Sequence, residues 1–574
     1  MIKGMLSMMS TRLSQWYTPI RKKTLNTLDI LSSFHLIGII LLLGVSIVFH
    51  LNPENILGFK ALHYYLFIYF GIDVTLRFLT KKTWRQFMLT HAFDLALIAP
   101  LYAWLHHGAL PFLIQELILL GILIGRFRHL PMLMRQMKLK PAQLFLFGFL
   151  FLMLSGALLL SLPIALKGQE IPFIDAIFMA FSAVCVTGLS VVDVSSTFTF
   201  FGQCVILGLI QVGGLGVMTF SVLLAMIFRR KLSQIDSQEF QDSYQTYSIK
   251  ETFSAIGFIF RVTFIIEFLG AICLLIGFYE PGTQWQTQLF NAIFHSISAF
   301  CNAGFSLFSD SFVGYATNPT IIFSLSGLII LGGIGFPTLY NLAKIARKKQ
   351  HVTLKLQTKM VLWITLILLG LGTLLIFVVE YNQALIQYSL SDKLLISFFQ
   401  SVSARTAGFN SIELSNFSMA TIMMIMILMV IGASPGSTGG GIKTSTFGLI
   451  LVSFYNTIRF NMKVELAGRA VNNRSILKAF SVLLLALTCI SFVFYGLLLT
   501  ENAPFLSIFF ETVSAFGTVG FSLGLTSELS SIGKCLLMIL MFIGRIGPLS
   551  LAFALSIKRS PAKYQYPEEP FVIA

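Results

Sequence analysis

Four times along this chain an apolar segment of ten to fifteen residues runs into a Ser-Ala pair that is followed, five or six residues after the serine, by a glycine. The segments are Pro172–Ala183, Thr287–Ala299, Ser391–Ala404 and Pro504–Ala515, and the glycines are Gly188, Gly304, Gly408 and Gly520. None is long enough to cross ~30 Å of hydrocarbon, which takes about twenty helical residues. Longer apolar runs stand on both sides of each: 143–162, 254–279, 358–380 and 475–499 before it, and 200–228, 320–343, 417–455 and 534–557 after it. With 56% hydrophobic and 11% charged residues, the chain is far from the ~25% charge of soluble domains, and such runs recur from end to end. We therefore expect an all-α polytopic membrane protein whose short segments are re-entrant half-helices. Backbone that leaves a helix at membrane depth must be buried in protein or line a water-filled path. Four copies about one hundred residues apart point to one folding unit used four times.

The formal charge of +16 invites a nucleic-acid partner, but its placement argues against one. Lys and Arg gather in the short linkers: Lys81, Lys82 and Arg85; Arg126, Arg128, Arg135, Lys138 and Lys140; Arg229, Arg230 and Lys231; Lys344, Arg347, Lys348, Lys349, Lys355 and Lys359; then Arg459, Lys463, Arg469, Arg474 and Lys478. This is how orientation by positive loops is written, and it places these linkers and both termini in the cytoplasm of a plasma-membrane protein. The first twenty residues show neither the apolar core nor the small-residue cleavage site of a signal peptide. The expected organisation is a four-helix membrane bundle over 1–140, repeats over 141–230, 250–345, 355–457 and 474–558, and a cytoplasmic tail over 559–574. Since every repeat starts and ends inside, all four phrases enter from outside, in parallel, around one pore.

A cation stripped of water needs oxygen ligands, and rings of backbone carbonyls supply them without placing full charges in lipid. Glycine permits the backbone angles that turn successive carbonyls inward. The expected K⁺-binding residues are Val186, Thr187 and Gly188; Asn302, Ala303 and Gly304; Thr406, Ala407 and Gly408; and Thr518, Val519 and Gly520. Thr187, Asn302, Thr406 and Thr518 are expected to add side-chain oxygens at the rim. In the third unit, Gly436, Ser437, Thr438, Gly439, Gly440 and Gly441 interrupt the second helix near Pro435, because Gly costs about 1 and Pro about 3 kcal/mol inside a helix. The spacing of Gly436 and Gly441 also fits a phosphate-binding loop, but Ile442 stands where its lysine belongs. Arg545 lies within an apolar helix, where a charge costs at least ~2.5 kcal/mol. It either faces the pore or pairs with a half-helix carboxylate such as Glu511. Arg405 reads as structural, pairing behind the filter; Asp175, Asp392 and Glu511 either pair in the same way or raise the cation concentration at the mouth; Glu267 reads as a buried, paired residue. The nine histidines are dispersed and the six cysteines have no metal-type spacing, so an enzyme is not expected.

The four loops, the phrase Gly432-Ala433-Ser434-Pro435-Gly436-Ser437-Thr438-Gly439-Gly440-Gly441-Ile442-Lys443-Thr444 and the phrase Ile543-Gly544-Arg545-Ile546-Gly547-Pro548-Leu549, in that order, resemble the Trk/Ktr/HKT superfamily of cation transporters. The resemblance spans 141–558 and is nearest the Ktr-type membrane subunit. It implies potassium uptake through a filter of four glycine-containing loops, with 436–441, Lys443 and Arg545 forming a gate beneath it. A serine at the first loop's glycine accompanies sodium preference in that family, so Gly188 implies K⁺ over Na⁺. It further implies a homodimer and a cytoplasmic nucleotide-binding regulatory subunit, while the chain's own residues call for surrounding membrane lipids and for no cofactor beyond K⁺, or Na⁺, as transported or activating ion. The basic loops, 344–359 above all, are either its docking surface or topology signals only. Residues 1–140 depart from the family core. Their Asp73, Arg77, Asp94, Arg126 and Arg128 leave two readings open: a scaffold bundle, or a voltage-sensing module that makes the chain a voltage-modulated cation channel.

Overall fold

A computed structural model describes residues 141–168, 170–216, 249–346, 353–459, 464–466 and 468–555. The expected front bundle, the basic runs at 229–231 and 347–349, Lys463 and the tail lie outside the described residues. The chain divides into two units, Met1–Leu139 with Leu158–Phe173, and Lys140–Ala157 with Ile174–Ala574. In the first, the described part is the end of a helix and a 3₁₀ turn at Pro163–Ala165. Everything below concerns the second.

The same order of elements recurs along it. Long helices α1 (Pro141–Leu160), α4 (Ile249–Gly277), α8 (Leu356–Glu380) and α12 (Asn473–Thr500) are each followed by a short one. The short helices are α2 (Phe173–Cys185), α5 (Trp285–Phe300), α9 (Leu390–Ser403) and α13 (Phe505–Gly517). Then come α3 (Phe200–Leu215), α6 with α7 (Pro319–Ile334, Phe336–Ala346), α10 with α11 (Met419–Val430, Thr444–Ile458) and α14 with α15 (Ser531–Ile546, Pro548–Leu555). A two-residue hairpin pairs Glu465–Leu466 with Arg469–Ala470.

Among the described residues, three helices are long and apolar enough to cross a membrane, or four if the bent pair α6–α7 counts as one span. Their outer faces carry large exposed apolar side chains such as Phe268, Trp363, Leu366 and Phe492. In water such a surface would be an aggregation liability, whereas in hydrocarbon it costs nothing. The short helices are wrapped instead, with Phe178, Phe294, Phe399 and Phe510 fully buried.

Packing follows a cyclic rule. The helix after each loop lies against the next short helix: α3 on α5, α6 on α9, and α10 on α13. The remaining step, from the fourth copy back to the first, has no chain continuity to help it. Lys534 of α14 makes an ion pair with Asp175 of α2 there, at 2.5 Å, both side chains buried.

One expectation changes. The sequence reading breaks only the third post-loop helix, and the structure breaks others. α6 ends at Ile334 and α7 leaves at 97°. α3 ends at Leu215 and α14 at Ile546. The next residue in each case is a glycine at positive φ: Gly216 (81°), Gly335 (94°) and Gly547 (92°), where a Cβ would be strained.

Candidate functional site

The four loops meet at their glycines. Gly188, Gly304, Gly408 and Gly520 all have φ between 70° and 95°. A Cβ on Gly188 would overlap the carbonyl oxygen of Ala303, one on Gly304 that of Ala407, one on Gly408 that of Val519, and one on Gly520 that of Thr187. The contacts therefore run from the first loop to the second, third and fourth, then back to the first. Four carbonyls of matched residues, each immediately before its loop's glycine, are drawn into one closed ring. Glycine is required twice over, for its left-handed backbone and for this approach.

The residue two before each glycine is also left-handed: Val186 (57°), Asn302 (59°), Thr406 (74°) and Thr518 (49°). Positive φ is costly for β-branched side chains, and such strain gathers at functional sites. The structure thus matches Val186, not Thr187, to Asn302, Thr406 and Thr518, so the expected ring of four side-chain oxygens has only three members at this level. Thr187 stands one position later, with its Oγ1 buried and unpartnered. Asn302 lies 3.1 Å from Thr406 Oγ1, its amide oriented to donate to Ala299 and Ile329 carbonyls.

The serines of the Ser-Ala pairs brace the loops from behind. Ser298 donates to Phe305 O at 2.8 Å and Ser403 to Phe409 O at 2.7 Å, the carbonyls just past the ring glycines. Ser514 Oγ accepts the Gly520 N–H at 3.2 Å. Ser182 Oγ is buried without a partner.

Directly against the ring lies 432–444, ordered and held on all sides. Gly440 N donates to Thr518 Oγ1 at 3.0 Å, and a Cβ on Gly439 would strike Thr406 Oγ1. Thr438 Oγ1 donates to Phe300 O, the end of α5, at 3.2 Å. Ser434 N reaches Gly333 O at 3.0 Å, Phe336 N reaches Gly436 O at 3.0 Å, and Gly441 N reaches Gly544 O at 3.3 Å. The broken ends of α6 and α14 are therefore the sockets of this loop. Lys443 donates to Gly439 O at 2.6 Å.

Arg545 donates to the carbonyls of Thr438 and Gly213 and, at 3.4 Å, to Gly214. It thus links the loop of the third copy to the helix end of the first. Both oxygens of Glu511 are taken by Ser522 and Thr526 hydroxyls, so Glu511 is not the carboxylate answering Arg545. Arg405 donates to Gly432 O at 3.5 Å and lines a small cavity with Ala433 and Thr365. Glu267 accepts from Gln211 at 3.2 Å, and Asp392 caps α9 with Ser389.

Sequence reasoning quoted Gly544 and Gly547 within the family phrase but missed the same Gly-x-x-Gly at Gly213 and Gly216 and at Gly332 and Gly335. The first glycine of each lets the helix touch the last carbonyls of a short helix, at Val184, Phe300 and Phe516. Their recurrence 25, 28 and 24 residues after Gly188, Gly304 and Gly520 was the available signal. Glu380 and Glu501 were missed as well. Each stands at the end of a long helix and accepts the N–H of the serine capping the post-loop helix of its repeat, Ser418 of α10 and Ser530 of α14, at 3.0 and 3.1 Å, a favourable place for an anion.

Comparisons with known proteins agree on the region that builds this site. Residues 151–566 match the family model described as TrkH, cation transport protein. The chain is 41% identical over 430 residues to the Ktr system potassium uptake protein B of Bacillus subtilis (strain 168), covering 75% of this chain and 95% of that protein. It is 40% identical to the protein of the same name from Vibrio alginolyticus, over 74% and 93% of the two chains. The potassium/sodium uptake protein NtpJ of Enterococcus hirae is 36% identical, over 76% and 98%. Among solved structures, the potassium transporter TrkH from Vibrio parahaemolyticus shares the fold, with a TM-score of 0.59 at 19% identity, over 82% of this chain and 97% of that one. The chain belongs to the TrkH family of cation transport proteins.

Proposed function

We propose that this protein takes K⁺ up across the plasma membrane, through the ring formed by Thr187, Ala303, Ala407 and Val519 carbonyls and their glycines. The observation that carries this reading is the closure of that ring in cyclic order by four separate loops, in a chain whose relatives are named for potassium uptake. Four inward oxygens replace the water a cation sheds, and neutral carbonyls do so without the cost of buried charge. K⁺ is the main ion, and a glycine in every loop supports K⁺ over Na⁺. The driving force is the membrane potential, worth about 2.3 kcal/mol per charge per 100 mV.

In this reading 436–441, with Lys443 and Arg545, is the gate. The loop touches the ring through Thr406 and Thr518 and is anchored by Arg545, so freeing it opens the path without rebuilding the filter. The four repeats occupy 141–230, 250–345, 355–457 and 474–558, all entering from outside, with both termini in the cytoplasm. The protein works as a homodimer with a cytoplasmic nucleotide-binding subunit that docks on the basic loop 344–359. The chemistry is transport, with no covalent step. Expression in a cell lacking its own K⁺ uptake tests the reading: growth at low K⁺ and Rb⁺ accumulation are expected. A chain that reaches the membrane and restores neither refutes it.

A further inference from the structure

The four short helices carry four different side chains at one matched position, three residues before the serine of the Ser-Ala pair: Met179, His295, Gln400 and Glu511. All four turn to the same place, the strand leaving the ring glycine. Glu511 accepts from Ser522 Oγ through one oxygen and from Thr526 Oγ1, at 2.9 Å, through the other. His295 Nε2 accepts the Leu307 N–H at 3.1 Å and lies 3.1 Å from Ser306 Oγ. Its Nδ1, 2.8 Å from Asn291 O, is then the protonated nitrogen. Gln400 Oε1 takes Ser411 Oγ at 3.5 Å, the outer limit of a hydrogen bond. Met179 offers only its sulfur, 3.3 Å from Ser190 Oγ, and a thioether is a weak acceptor that competes there with the Val192 carbonyl for the one hydroxyl proton.

Ser190, Ser306 and Ser522 each stand two residues past their glycine, and Ser411 three. The fourfold contact is therefore one device with graded chemistry: carboxyl, imidazole, amide, thioether. We infer that this position sets ion discrimination from behind the ring, by fixing how far each exit strand, and with it each ring carbonyl, can yield. The fourth loop is held most firmly and the first least. The brace one turn further on shows the same deficit in the first loop, since Ser182 Oγ has no partner while Ser298, Ser403 and Ser514 all do. Filters discriminate by cavity size and by the field of their carbonyls, and both depend on how stiffly the carbonyls are held. The inference rests on the reading of the ring as a K⁺ filter.

The repeats themselves supply the test. Glu511→Gln gives the fourth loop the acceptor of the third, and Glu511→Met gives it the thioether of the first. In cells lacking K⁺ uptake and expressing the full chain, Rb⁺ and Na⁺ uptake are measured as a ratio. Glu511→Met should lower the ratio about fivefold and Ser522→Ala by less, because Thr526 still holds Glu511, and adding Ser522→Ala to Glu511→Met should lower it no further. Glu511→Gln should hold the ratio within about twofold, and Met179→Gln should raise it. An equal loss in Glu511→Gln and Glu511→Met would overturn the inference in favour of charge alone. Unchanged ratios in Glu511→Met and Ser522→Ala would overturn it too. If Glu511→Met fails to reach the membrane, Ser522→Ala and Met179→Gln read the same device from its other members. A wild-type chain without Rb⁺ uptake removes the filter reading and this inference together, whereas wild-type uptake with indifferent variants removes the inference alone.

Discussion

The ring of glycines and the layer beneath it are built from the same four repeats by opposite rules. At the ring every copy does the same thing, since each glycine is left-handed and each meets the carbonyl of the next loop. One layer further in, the copies diverge. Three helices stop at Gly216, Gly335 and Gly547, and the third copy sends 432–444 across the others. Arg545 occupies the place held by Gly214 and Gly333 in the first two copies, and it grips the crossing loop. A symmetric layer suits a task that every oxygen shares, such as holding a spherical ion. An asymmetric layer suits a task that one element performs while the rest support it.

The sharpest way to break this contrast is at the ring. Gly188→Ser puts a Cβ into the Ala303 carbonyl at a φ of 87°. Strain and overlap together should cut Rb⁺ over Na⁺ discrimination about 100-fold, and Gly408→Ser should match it. If the two differed greatly in the uptake ratio, the ring would not be symmetric in function. Arg545→Ala should instead raise Rb⁺ flux about tenfold while the ratio stays put, because it frees the Thr438 carbonyl without touching the ring. A collapse of selectivity in that variant would merge the two layers into one. Thr518→Val keeps shape and removes the bond to Gly440 N, so flux should rise only about threefold, read in the same assay. The smallest effect belongs to Arg126→Gln with Arg128→Gln, which lie before the family region. Currents recorded at stepped voltages should keep their voltage dependence, and a loss would restore the sensor reading of 1–140.

The ring was legible in the sequence because two strong signals coincide there: a helix too short to span, and a glycine at a fixed place after it. The helix breaks were not. Residues 320–343 hold four glycines and Pro337, two residues past Gly335, but their length and apolar character read as one span when that glycine and proline are not weighed together. What turns the chain there is Gly436 O, taken by Phe336 N from a loop one hundred residues away. The mismatch at Thr187 has a different cause. Matching the loops by side-chain chemistry selects the threonine, whereas counting back from the glycine selects Val186, and backbone angle follows the count. Arg545 was expected at the pore or on a carboxylate. Carbonyls freed by broken helices are a third kind of partner, visible only once the breaks are known.

The ion pair between Lys534 and Asp175 joins residues 359 positions apart, at the only junction of the ring that the chain does not itself connect. Ribosomes add about 5–20 residues per second, so Asp175 is made roughly 20–70 s before its partner. During that interval the first short helix carries this carboxyl without its ammonium partner. The last repeat to be synthesised is therefore the one that relieves the first. A chain truncated before Lys534 leaves Asp175 without this partner. The bond that completes the circle can form only once the fourth repeat has been made.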